Sequence, residues 1–169
     1  FNFEKFVDDI ERSINIFNNK LGYNPSFFSY PFGEYNLEQK NYILNNFEFA
    51  FGQHSGVIDL NKDRYELPRF PINEKYGEIK RFKEVISYLP LQYKIIKPEN
   101  KFMNDGENPP KMTIEFFKDQ KNLENINCFS NEGSKWRKTK IVLIDNILNI
   151  NFAEKFIERR GRINCSLKD

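Results

Sequence analysis

The chain has 169 residues, 26 basic and 24 acidic, for a formal net charge of +2. Balanced charge argues against a nucleic-acid partner, whose phosphates demand a clustered basic face, and no apolar run reaches the ~20 residues that span a bilayer. With 39% hydrophobic and 16% aromatic residues, 18 of them Phe, the chain carries enough apolar material for a core.

Residues 3–21 read as an amphipathic helix. Phe3, Phe6, Val7, Ile10, Ile14, Phe17 and Leu21 recur at helical spacing, and Gly22 follows where a left-handed terminator is wanted. Pro25 to Pro31 encloses a short aromatic run that reads as a buried strand. Asn36 with Gln39 forms a capping-box pattern opening a second helix, whose apolar side is Leu37, Ile43, Leu44 and Phe47. Phe47, Phe49 and Phe51 alternate toward Gly52 as a second strand. Helix, strand, helix, strand with short connections is the rhythm of a parallel α/β layer, open or closed into a barrel. A polar loop, Gln53 to Glu66, leads to Leu67-Pro68-Arg69-Phe70-Pro71-Ile72, and a third helix is expected from about Tyr76 to Tyr88, ended by Pro90.

The character then changes. Gln92–Lys97, Met112–Phe117, Ile126–Phe129, Lys140–Ile144 and Ile147–Phe152 read as short strands, with turns at Asn104-Asp105-Gly106 and Asp145-Asn146. A domain change is expected near Pro98: 1–97 α/β, 98–169 a small all-β, sandwich-like module. Cys128 and Cys165 lie far apart without metal-type spacing. They either pair as a disulfide in an oxidising compartment or remain two buried thiols. Arg159-Arg160-Gly161-Arg162 is a local basic stretch that reads as solvated surface.

His54 is the single histidine, so a histidine-based metal site cannot be completed within the chain, and a Ser-His or Cys-His pair would rest on that residue alone. No phosphate loop is present. Three segments at strand ends stand out instead: Ser29-Tyr30-Pro31-Phe32-Gly33-Glu34-Tyr35, Ala50-Phe51-Gly52-Gln53-His54-Ser55-Gly56, and Leu67-Pro68-Arg69-Phe70-Pro71. In parallel α/β folds ligands bind at the carboxyl ends of strands, so the three are expected to converge on one site.

Ser-Tyr-Pro-Phe-Gly-Glu-Tyr resembles the Pro-Tyr-Gly motif of polysaccharide deacetylases, the fourth carbohydrate esterase family with its NodB-homology domain. The preceding helix, the Gly-Gln-x-Ser-Gly stretch and Leu-Pro-Arg-Phe-Pro fall in the family's order. Further on, Glu107-Asn108-Pro109-Pro110, Asn127-Cys128-Phe129-Ser130 and Gly161-Arg162-Ile163-Asn164-Cys165 resemble the β-rich tail of some bacterial members. The resemblance implies the later half of a distorted (β/α) barrel, followed by that β-rich module.

The implied reaction is hydrolysis of N-acetyl or O-acetyl groups of a polysaccharide or oligosaccharide by water activated on a divalent metal, zinc or similar. The family's Thr-Phe-Asp-Asp and His-x-x-x-His ligand motifs are absent from these 169 residues. The resemblance therefore implies a missing N-terminal segment that completes the barrel, no metal bound by this chain alone, and no activity of this chain alone. It assigns the oxyanion-donating backbone N–H to Phe32 and substrate-pocket wall to Tyr30, Pro31, Gly33, Tyr35 and Gln53. His54 stands where a general acid would be sought, although outside the usual Leu-x-His setting. Many members orient the catalytic Asp with an Arg at the position held here by Ser29, and Arg69 is the orienting residue to consider in its place. Location by resemblance is periplasmic, extracellular or cell-envelope, where Cys128 and Cys165 would staple the β module. The alternatives are a non-catalytic carbohydrate-binding or interaction module, stacking Tyr30, Phe32, Tyr35 or Trp136 on sugar faces, and a half-domain that pairs with another polypeptide.

Overall fold

The computed structural model of the protein describes residues 2–167. It is mixed α/β and divides into two compact units, Phe1–Pro90 and Leu91–Asp169.

In the first unit, helix α1 spans Phe3–Leu21. Its start is fixed by the Asn2 side chain, which accepts from the Lys5 N–H at 2.9 Å. Its end is fixed by Gly22 at φ 80°, whose N–H donates to the Asn18 carbonyl at 2.7 Å. Strand β1, Phe27–Ser29, pairs in parallel with β2, Phe49–Phe51, with Phe27 opposite Phe49 and Phe28 opposite Ala50. Helix α2, Leu37–Asn46, connects them, and its capping box is complete. Asn36 Oδ1 accepts from Gln39 N–H at 2.8 Å, while Gln39 Oε1 accepts from Asn36 N–H at 2.9 Å.

Because strand side chains alternate, the sheet has two unlike faces. Phe28 and Ala50 point toward the helices and join Ile10, Tyr30, Ile43 and Phe47 in the core. Phe27 stacks on Phe49 on the other face, at 5.6 Å between ring centroids, and remains 64% exposed. On its far side β2 bridges in parallel to Leu67, with Ala50 N–H donating to Arg64 O and Leu67 N–H to Ala50 O, each at 2.9 Å. The sheet thus gains a third, irregular line of chain. It does not close into a barrel among the described residues.

Helix α3 runs Ile79–Ser87, shorter than expected. Residues 73–76 are held as a turn by the Asn73 side chain, which accepts from Lys75 N–H at 3.1 Å and Tyr76 N–H at 3.0 Å. No helix among the described residues is long and apolar enough to cross a membrane.

The second unit begins earlier than the residue 98 boundary read from the sequence. Strand β3, Ile95–Lys97, is an antiparallel partner of β4, Met112–Glu115, so these residues belong to the β unit and the division falls after Pro90. Five further strands follow: β5 Ile126–Ser130, β6 Arg137–Lys138, β7 Lys140–Ile144, β8 Ile147–Asn151 and β9 Ile163–Leu167. They form two antiparallel sheets, of order β3-β4-β8-β7 and β6-β5-β9. Thr139, between β6 and β7, donates its N–H to Cys128 O at 2.9 Å. One stretch of chain therefore pairs first with β5 and then with β8, making a corner where a strand changes sheet.

Ile114, Phe116, Leu123, Ile126, Cys128, Leu148 and Ile150 form the core of this unit. Cys128 and Cys165 are direct partners in the β5–β9 register and are joined by a disulfide, Cα–Cα 4.1 Å.

Candidate functional site

The three strand-end segments adjoin one another, and main-chain contacts hold them together. Tyr30 N–H donates to Phe51 O at 3.0 Å, tying the end of β1 to the end of β2. Gly52 N–H donates to Leu67 O and Arg69 N–H to His54 O, both at 3.0 Å, tying the second segment to the third.

After β1 the chain makes a short 3-10 turn, Pro31–Gly33. Phe32 and Gly33 both have left-handed backbone, φ 58° and 70°. At Gly33 this suits glycine. A side chain there would also strike Gln53, because a Cβ would lie 2.6 Å from the Gln53 nitrogen. At Phe32 the left-handed state costs about 1–2 kcal/mol, held by the bonds Gly33 N–H to Tyr30 O at 2.8 Å and Glu34 N–H to Pro31 O at 3.1 Å. The Phe32 ring is 61% exposed. Gln53 and His54 are exposed on the neighbouring loop, with the His54 ring folded back so closely that a Cβ on Gly52 would sit 2.7 Å from Nδ1. Exposed Arg69 reaches this place through its backbone bond to His54.

Tyr30 requires a correction. Its side chain is a core element, 1% exposed, and not a surface for sugar. The ring stacks on half-buried Tyr35 at 4.3 Å between centroids, and its hydroxyl donates to Tyr65 O at 3.1 Å. Aromatic residues bounded by prolines gave no sign of which ring turns inward.

Beneath the turn lies a polar cluster that sequence reasoning did not find. Tyr35 Oη donates to Glu66 Oε2 at 2.9 Å. Lys40 Nζ reaches the same carboxylate at 3.3 Å and also pairs with Asp63. Burial, reinforced by the charges of Asp63 and Glu66, pushes the Tyr30 hydroxyl well above the usual phenol range. Burial and then Glu66, through its charge and the hydrogen bond, do the same to Tyr35. At Lys40 burial works against the ammonium, but its hydrogen bond to Asp63 and the charges of Glu66 and Asp63 outweigh it, leaving its pKa raised. The cluster laces Asp63 and Glu66, near the far end of the loop that begins at Gln53, to α2 and Tyr35. The sequence signal was slight: Lys40 is the one cation of α2.

The donors near the turn do not fit a catalytic metal. His54 is the single imidazole of the chain, and no group of three His, Cys, Asp or Glu among the described residues is arranged to hold an ion. What the place offers is main-chain dipoles in a left-handed turn, the Gln53 amide and the His54 imidazole on the adjoining loop, and the exposed Phe32 ring, with the Arg69 backbone tied to His54. No protein-family profile, no curated protein and no solved structure matches this chain.

Proposed function

We propose that Phe1–Pro90 is the later part of a polysaccharide deacetylase catalytic domain, and that it lends substrate wall and oxyanion stabilisation to a reaction whose metal ligands lie outside these 169 residues. The observation that carries the reading is the junction of the three strand-end segments around the strained Phe32–Gly33 turn. A left-handed non-glycine residue is retained when the surroundings over-determine it, and such residues cluster at active sites. Main-chain N–H groups in such turns form concavities for negative charge, and one fixed donor to an oxyanion contributes roughly 3 kcal/mol to the transition state.

Within this reading Phe32 N–H faces the developing oxyanion. Gly33 keeps the turn flat against Gln53, and Gln53 with Tyr35 forms wall. His54 and Arg69, exposed and joined through their backbones, are the residues to test as general acid and orienting cation, against the alternative that both serve only the loop's structure. Two features support a larger barrel. Parallel sheets are normally covered on both faces, yet Phe27 is open on one face here. Moreover, Ser26 O and Tyr30 N–H serve β2, so by strand alternation the main-chain groups of Phe27 and Ser29 point to the opposite edge, where a preceding strand would pair. The disulfide Cys128–Cys165 supports an exported location.

The test is to read the coding sequence upstream of Phe1 and to assay the 169-residue chain for acetate release from N-acetylated oligosaccharides with added zinc. The reading expects Thr-Phe-Asp-Asp and His-x-x-x-His motifs upstream and no release by the chain alone. A start codon immediately before Phe1, or turnover by the purified chain, would overturn it.

A further inference from the structure

Charge in the second unit is segregated. Residues 131–138 carry three cations and one carboxylate, and residues 153–162 carry four cations and two carboxylates. That is a surplus of four in a chain whose whole formal charge is +2, so the remainder is net negative. The two segments are laced to each other. Gly133 N–H donates to Lys155 O at 3.0 Å, Arg137 Nη1 bonds Glu154 Oε1 at 2.8 Å, and Asn131 N–H donates to Arg162 O at 3.1 Å.

The lacing is built from buried polar side chains. Asn131, 5% exposed, accepts from Arg162 N–H at 2.6 Å through Oδ1 and donates through Nδ2 to Arg160 O at 3.5 Å. Glu132, 1% exposed, accepts from Glu154 N–H at 3.2 Å. Asn108 grips Phe156 from both sides, accepting from its N–H at 2.9 Å and donating to its carbonyl at 2.8 Å. Burying polar side chains to hold a loop is costly unless each is satisfied, as these are. The held loop presents Lys155, Arg159 and Arg162 to solvent, and the facing segment presents Lys135, Lys138 and Trp136, the last 51% exposed.

We infer that this basic face of Leu91–Asp169 binds an anionic polysaccharide, a chain of uronate-type sugars. Guanidinium groups match sugar carboxylates in paired hydrogen bonds. The indole of Trp136 offers a flat apolar surface for the C–H face of a pyranose ring, while Glu154 is engaged by Arg137 and Glu158 by Asn131 Nδ2 at 3.3 Å. The choice of a glycan rests on the carbohydrate reading above, while the surface lies wholly within the second unit.

The test is titration of the 169-residue chain with polygalacturonate, with fully methyl-esterified polygalacturonate and with duplex DNA, whose base faces are covered, at low salt. Polygalacturonate should bind and its neutral ester should not. The double charge reversal R159E/R162E should weaken binding about tenfold, W136A should weaken it for polygalacturonate but not for DNA, and the equal reversal K80E/K83E in the first unit should leave it unchanged. Absence of polygalacturonate binding, equal binding of the ester, or DNA bound as tightly with W136A without effect would each overturn the inference. Such a failure alongside acetate release by a longer gene product sinks this inference alone, whereas binding without any acetate release sinks the deacetylase reading alone.

Discussion

The two units solve the same problem of covering a sheet in opposite ways. Leu91–Asp169 places two antiparallel sheets around one enclosed core and links β5 to β9 covalently. Phe1–Pro90 covers one face of a two-stranded parallel sheet with helices, leaves aromatic surface on the other, and relies on caps and a polar cluster to hold its loops. An enclosed antiparallel unit has its partners within itself, whereas a parallel sheet open on one face draws less from burial. The candidate site lies in the second kind of structure, where short connections at strand ends carry chemistry and apolar packing contributes less.

The largest test of that contrast is Phe116→Ala. The ring is fully buried, and its loss is expected to cost about 3–5 kcal/mol in the β unit. Hydrogen exchange should show β4 and β8 opening while α1 and α2 keep their protection; equal loss in both would mean the units are not energetically separate. Next comes the disulfide. Reduction, or the pair Cys128→Ala and Cys165→Ala, removes a cross-link over 37 residues, and about 3–4 kcal/mol of stability should go with it on the chain-entropy account. Denaturant titration with and without reductant measures this.

A smaller effect is expected in the α/β unit from Lys40→Met, which leaves Asp63 and Glu66 without their shared cation. For partly exposed groups the loss should be about 0.5–1 kcal/mol. The same cluster gives a pH signature. Lys40, Tyr30 and Tyr35 all have raised pKa values in the fold, so the folded state holds protons that the unfolded state releases first. Their contribution is fully present below about pH 10, where free phenols and ammonium groups begin to ionise, and is lost above it. Helical circular dichroism should therefore fall on alkaline titration before the β signal does, and Lys40→Met should reduce the difference. The most local change is Asn36→Ala, about 1 kcal/mol for a lost cap, visible as faster exchange in the first turn of α2.

How much of this could be read in advance follows the range of the interactions. Helix α1 with its glycine stop, and α2 with its capping box, depend on residues three or four apart, and both stand where the spacing puts them. β1 was legible as a proline-bounded aromatic run and β2 as alternating Phe, and the helix between them implied the parallel pairing. The barrel, the deacetylase chemistry and the roles of Phe32, His54 and Arg69 came from resemblance and stand as proposals. Strand β6, only Arg137 and Lys138, has no apolar alternation to announce it and exists because β5 pairs with it. Ile163–Leu167 alternates weakly and is placed as β9 by β5 and the disulfide. Tyr30 turning inward, and the meeting of Lys40 with Asp63 and Glu66 some 23 and 26 residues on, are tertiary facts that no local pattern encodes.

The central claim is that the Phe32–Gly33 turn is catalytic backbone. The direct measurement is acetate release by a gene product extended upstream of Phe1, compared with its Gly33→Val variant. Valine is disfavoured at φ 70° and its Cβ would collide with Gln53, so the turn must shift while α1 and α2 remain protected from exchange. At least about a hundredfold loss in kcat with a smaller change in KM is expected, the mark of a lost oxyanion donor. Undiminished turnover by the variant, or no turnover by the extended protein, would contradict it.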